Sequence, residues 1–197
     1  MVSLKHAPST IDDLMALSDD MKAELVDGVI YAMAPALARH SLVGTEIASE
    51  LSAYFKAMRK KGSSGGSGDA LVIISEAWTY YDEHNSFVHD IAGYLESDLP
   101  ELPKLGPILA TPKWVCEILS PSNWANDTRR KKVILEEHRV PYYWLVDPER
   151  KTIQVFELPE NATKYQFTHS VEKGDGEVRL PPFLDLELDL MEIFRRV

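Results

Sequence analysis

Cysteine is nearly absent from this sequence: Cys116 is the single one in 197 residues. One thiol cannot close an internal disulfide or build a cysteine-cluster zinc site, and it fits a reducing compartment. No run of about 18 apolar residues occurs, so no membrane-spanning helix is expected. The opening MVSLKHAPSTIDDL lacks the apolar stretch of a secretory signal. Basic residues are in deficit, 21 Lys and Arg against 31 Asp and Glu, a formal charge of −10. Binding nucleic acid over a whole surface needs cations that displace condensed counterions, which this balance argues against, although a local basic cleft remains allowed. These absences predict a soluble, cytoplasmic protein with no membrane partner.

What is present is a sizeable apolar fraction, 45% of the residues, enough for a packed core in a single domain spanning residues 1–197. Ser9 to Asp13 predicts a helix start with Thr10 as N-cap and Asp13 three residues on. Asp27-Gly28 between Ala23–Val26 and Val29–Met33 predicts a hairpin. Val43, Ile47, Leu51, Tyr54 or Phe55, and Met58 recur at helical spacing, which predicts an amphipathic helix over roughly 38–60. The Gly/Ser stretch 62–68 has linker composition, and its spacing fits neither a dinucleotide fingerprint nor a P-loop. Strand-like runs follow at 71–75, 78–81, 87–92 and 114–119, with a Pro/Leu-rich loop over 96–113. A helix capped by Asn126 or Asp127 reaches about His138, and 142–146 pairs with 152–158 around Asp147-Pro148-Glu149-Arg150. A short helix closes the chain near 190–194. This order predicts one α/β domain with a mixed sheet.

Three polar residues sit where apolar ones are expected. Glu117 shares a strand face with Val115 and Leu119, and Asp90 shares one with Val88 and Ala92. Both strands are apolar on either face, and an ionised carboxylate there needs a cation, a donor or a metal. Two such carboxylates suit a hard, oxygen-seeking ion such as Mg²⁺, or else cap helices or pair with an internal Arg. Lys131 shares a helix face with Ile134, Leu135 and His138, either snorkelling or serving a site, while Lys132 is offset toward Glu136. Arg129, Arg130, Lys131 and Lys132 form a basic cluster, open to phosphate contact or to pairing with Glu136 and Glu137. Trp124 reads as a loop anchor before a base-stacking residue. Ser120 and Ser122 lack a nucleophile-elbow context.

The stretches Glu24-Leu25-Val26-Asp27-Gly28-Val29-Ile30-Tyr31, Met33-Ala34-Pro35 and Arg39-His40 resemble the opening of the Uma-two family of restriction-endonuclease-like proteins. So do Val88-His89-Asp90-Ile91-Ala92-Gly93-Tyr94 and Trp114-Val115-Cys116-Glu117-Ile118-Leu119-Ser120-Pro121-Ser122, followed by Asp127, Lys131 and the run Val140 to Pro148. The resemblance covers about residues 22–158 and implies a PD-(D/E)xK nuclease core, a mixed β-sheet flanked by helices. It makes Asp90 and Glu117 the metal-binding acids, for Mg²⁺ or Mn²⁺. The lysine usual two residues after the second acid falls at Leu119, and Lys131 takes its place. Glu24 and His40 match accessory polar positions. Two departures stand out. His89 replaces the expected proline, read as a change of backbone stiffness, and Lys113 replaces an aspartate, adding a cation near the site. The implied activity is metal-dependent hydrolysis of nucleic acid, DNA above all, with a homodimer for cutting two strands. The competing expectation is a catalytically inactive nuclease-fold binding or assembly module.

Overall fold

The computed structural model describes residues 7–18, 21–60, 70–99, 101–120 and 127–197. The Gly/Ser stretch 62–68, the Asn126 cap, Ser122 and Trp124 lie outside them. Helix α1 (Ile11–Met15) begins on the expected capping box: Thr10 Oγ1 accepts from the Asp13 N–H, and Asp13 returns a bond to the Thr10 N–H at 2.8 Å. Strands β1 (Ala23–Val26) and β2 (Val29–Ala32) form the hairpin. Its two central residues, Asp27 and Gly28, have φ of 50° and 69°, the left-handed pair that matches strand twist. A Cβ on Gly28 would lie 2.4 Å from Pro8 Cβ, so this turn requires glycine.

Helix α2 (Ala38–Lys60) buries Val43, Ile47, Leu51 and Phe55, the stripe that the spacing predicts. It leads to β3 (Leu71–Asp82) and β4 (Asn85–Leu95), a long antiparallel pair, then β5 (Trp114–Ile118), α3 (Asp127–Glu137), β6 (Tyr142–Asp147) and β7 (Thr152–Glu157). Strand β8 (Gln166–Glu172), the two-residue strands β9 (Glu177–Val178) and β10 (Leu188–Asp189), and α4 (Leu190–Ile193) complete the order. Among the described residues, eight strands form one sheet in the order β2-β1-β4-β5-β6-β7-β8, with β3 on β4. Strands β5 and β6, joined through α3, run parallel, and the other pairs are antiparallel. The sheet is therefore mixed.

Helices α2 and α4 cover one face, packing Val43, Ile47, Leu190 and Ile193 against Trp114, Cys116 and Trp144. Helix α3 covers the other, packing Ile134 and Leu135 with Val115, Ala92 and Tyr143. Every residue of β5 is buried, as expected for a central strand covered on both sides. Trp114, Trp144 and Phe183 meet edge to face at 5.2–5.5 Å between ring centres, and the Trp144 indole N–H donates to Pro181 O at 2.7 Å.

Three differences from the sequence reading have physical causes. Residues 71–75 and 78–81 are one strand, because backbone pairing with β4 resumes past Glu76, whose φ is 50°. Strand β8 was not expected: its alternation is weak, since it is an edge strand with little buried surface. The loop 96–113 is tied to the sheet, with Ile108 exchanging backbone bonds with Trp78 and Tyr80 at 2.7 and 2.9 Å. One further irregularity matters for the site. Leu71, Ile73 and Ile91 face the α2 layer, while Ala77, Tyr81 and Phe87 face the α3 layer despite having the same parity. Both strands therefore exchange faces beside Glu76 and Asp90, where alternation alone cannot say which way a side chain points.

Candidate active site

The site forms where β4 and β5 part company. Their pairing runs through Gly93 with Trp114, Ala92 with Val115, and Ile91 with Cys116. One residue further, the Asp90 carboxylate takes over: its Oδ2 accepts the Ile118 N–H at 2.7 Å. His40, in the first turn of α2, places Nε2 3.1 Å from the same oxygen. Helix α2 lies close to β5 here, since a Cβ on Gly44 would stand 2.9 Å from Ile118 Cδ1. The hydrogen bond to Asp90 pushes the His40 pKa above its ordinary value, against the pull of burial.

Glu117 projects into the α3 layer and is almost fully buried. His89 Nδ1 stands 2.6 Å from its Oε1, and Tyr81 Oη stands 2.7 Å from His89 Nε2. Burial, helped by the neighbouring charge of Glu117, holds the Tyr81 phenol well above its usual pKa, so it keeps its proton and can donate to His89 Nε2. Beside them Lys131 Nζ lies 2.9 Å from Glu24 and 5.2 Å from the centre of the Phe87 ring. Burial alone would discharge this ammonium. The combined field of Glu117, Glu24 and Asp90 prevails and raises its pKa. The result is three carboxylates from β1, β4 and β5, with one cation from α3 and two imidazoles, where β4 and β5 part.

As ligands, Asp90 and Glu117 are hard oxygen donors of the type that Mg²⁺ or Mn²⁺ prefers. Each has one oxygen fixed by N–H donors, which orients the carboxylate. Among the described residues, no group of three or more His, Cys, Asp and Glu side chains is arranged to hold a metal. In chemistry the two carboxylates suit a divalent ion, and they would supply only part of a coordination shell.

A family model described as "Putative restriction endonuclease" and named Uma2 matches residues 11–191. The chain belongs to the Uma2 family. Among solved structures, the fold is similar to the crystal structure of "a putative nuclease belonging to DUF820" from Anabaena variabilis ATCC 29413. The TM-score is 0.73 with 24% identity, covering 95% of this chain and 98% of that one. At that identity the likeness speaks for the fold, a large mixed sheet flanked by helices. No curated protein matches the sequence.

Every residue expected from the Uma2 resemblance falls within the matched range. Asp90, Glu117, Lys131, Glu24 and His40 come from five elements and lie within electrostatic reach of one another. His89 and Tyr81 were missed. His89 is more than a change of backbone stiffness: its side chain is fully buried and bonded to the second acid. The available signal was a second polar residue beside Asp90 in an apolar strand. Lys113 is also corrected, since it pairs with Asp98 at 3.7 Å at the start of β5, remote from Glu117 at its end. Lys132 sits over the Phe156 ring at 3.6 Å, and Glu136 instead takes Lys164 at 2.9 Å and the Tyr165 N–H. Burial lowers the Lys132 pKa and the nearby charge of Glu136 offsets part of that, so Glu136 still bears on the basic cluster. Arg130 reaches the Tyr31 hydroxyl on β2, and His138 bonds Asp82 at 3.1 Å, outside the site.

Proposed function

We propose that this Uma2 protein is a metal-dependent nuclease that hydrolyses phosphodiester bonds of nucleic acid, with DNA as the first substrate to test. The observation that carries this reading is the convergence of Asp90, Glu117, Glu24 and Lys131 where the pairing of β4 with β5 ends. Asp90 and Glu117 would hold Mg²⁺ or Mn²⁺, which when bound acidifies water and polarises a phosphate. Lys131, kept cationic by the surrounding acids, offers fixed positive charge to the charge that develops on the phosphate oxygens. Glu24 holds that ammonium in place at 2.9 Å, and His40 holds Asp90. Arg129 and Arg130, exposed on the first turn of α3, would contact the phosphate backbone. Cutting both strands of a duplex calls for two sites, so a homodimer belongs to the proposal, as does a cytoplasmic location. Among the described residues no helix is long and apolar enough to cross a membrane.

The test is incubation with single- and double-stranded DNA and RNA, with Mg²⁺ or Mn²⁺ and with chelator. Cleavage should require the ion and disappear in Asp90→Ala and Glu117→Ala proteins that still fold. Variants that cut as well as wild type would sink the assignment. A second reading, a nuclease-fold binding module without activity, is favoured by the internal partner that each site group already has: His40 for Asp90, His89 for Glu117, Glu24 for Lys131. Wild type that neither takes up metal nor cleaves would select it.

A further inference from the structure

Glu117 is the more buried of the two acids and has a partner that the family pattern does not provide. At position 89 a proline would offer no side-chain donor. Here the imidazole is sealed from solvent, packed edge-on against Phe87 and Tyr81 at 5.1 and 5.9 Å between ring centres. Its two nitrogens are both engaged, Nε2 with Tyr81 Oη at 2.7 Å and Nδ1 with Glu117 Oε1 at 2.6 Å. A carboxylate accepts and does not donate, so the hydrogen between His89 and Glu117 sits on Nδ1. The buried phenol keeps its proton and can donate to Nε2 across 2.7 Å, which matches the same tautomer from the other side. Tyr81 thus fixes His89, and His89 fixes one oxygen of Glu117.

We propose that His89 is a positioning residue for metal uptake: its Nδ1–H, set by Tyr81, holds Glu117 Oε1 and leaves Oε2 as the single oxygen offered to a divalent ion. This inference rests on the metal-dependent reading of the site. Partners of ligating carboxylates matter because they set the orientation and basicity of the ligand, and removing one costs about 10–100-fold in metal affinity. A purely packing role for His89 would show no such dependence on its Nδ1 donor.

The experiment is Mn²⁺ titration by calorimetry on the full chain, as wild type, His89→Asn and His89→Leu. Thermal melting checks the fold of each, and ¹⁵N NMR of the His89 ring reports its tautomer in wild type. Asn retains an N–H near the Nδ1 position and should bind Mn²⁺ within about three-fold of wild type, whereas Leu should lose about 10–100-fold. The NMR spectrum should place the proton on Nδ1. Wild-type affinity in His89→Leu, a tenfold loss in folded His89→Asn, or a bare Nδ1 would each overturn the role of His89 alone. Wild type that takes up no Mn²⁺ would overturn the metal reading and this inference with it. Should the Leu variant fail to fold, the Asn variant and the tautomer decide.

Discussion

Replacing Lys131 by Met removes the one cation that faces three carboxylates, and the stability loss follows from the geometry. Lys131 and Glu24 have side chains 10% and 12% exposed and stand 2.9 Å apart. At that separation and an effective dielectric near 20, their attraction is about 4–6 kcal/mol. Much of this offsets the desolvation of both charges, so the pair adds little compared with an apolar pair of the same shape. Removing one partner is different, because Glu24 then stays buried and unpaired beside Glu117. Breaking a buried pair in this way costs about 3–5 kcal/mol. For a protein of this size that lowers Tm by about 6–20 °C. Glu24→Gln should cost less, since Lys131 still faces Glu117 and Asp90. The double variant Glu24→Gln/Lys131→Met should fall well short of the sum of the singles, with a coupling of about 2 kcal/mol. Urea denaturation of all four proteins at neutral pH with chelator measures the cycle. A loss below about 1 kcal/mol in Lys131→Met, or strict additivity, would refute the buried-pair argument.

Two further outcomes are expected away from the ligands. Gly44→Ala should be close to neutral, because the flexible tip of Ile118 can yield and Ala gains about 1 kcal/mol of helix propensity. Gly44→Leu should cost about 1–3 kcal/mol by overpacking and lift α2 from β5, weakening the His40–Asp90 contact; equal melting temperatures for the two variants would contradict the close approach. Asp82 supplies a pH dependence. Burial favours its neutral form, but bonds from Asn85, the His84 N–H and His138 outweigh this and lower its pKa. The unfolded chain therefore takes up this proton first, so the contribution is present above the ordinary carboxylate pKa and is lost as pH falls through the folded value. Asp82→Asn should flatten the acid limb of urea midpoints between pH 6 and 2, and an unchanged slope would exclude Asp82 as its source.

Much of the scaffold was legible because it depends on local rules. Thr10 and Asp13 cap a helix, Asp27-Gly28 closes a hairpin, and the Val43 to Phe55 spacing marks the buried face of α2. These signals are short in sequence and owe little to distant neighbours. Glu117 and Lys131 were visible for a related reason, since a charge among apolar neighbours at strand or helix spacing marks a place where burial must be compensated. Strand β8 and the continuity of β3 were not visible, because an edge strand has little hydrophobic alternation and a single positive-φ residue breaks the period.

The sequence by itself determined most of the elements, the Uma2 membership and the identity of the charged residues that need partners. Only the tertiary structure decided the partners. Alternation puts Asp90 on one face with Ala92, but Ala92 packs in the α3 layer while Asp90 bonds His40 of α2, because β3 and β4 exchange faces beside it. His89 looked like a substitution affecting the backbone until Tyr81 on β3 and Glu117 on β5 were placed on either side of its ring. Glu24 and Lys131 lie 107 residues apart, and no spacing rule reaches that far. Such contacts are set by how the strands twist and splay at the end of the sheet. That is a property of the packed sheet as a whole, which no local window of sequence encodes.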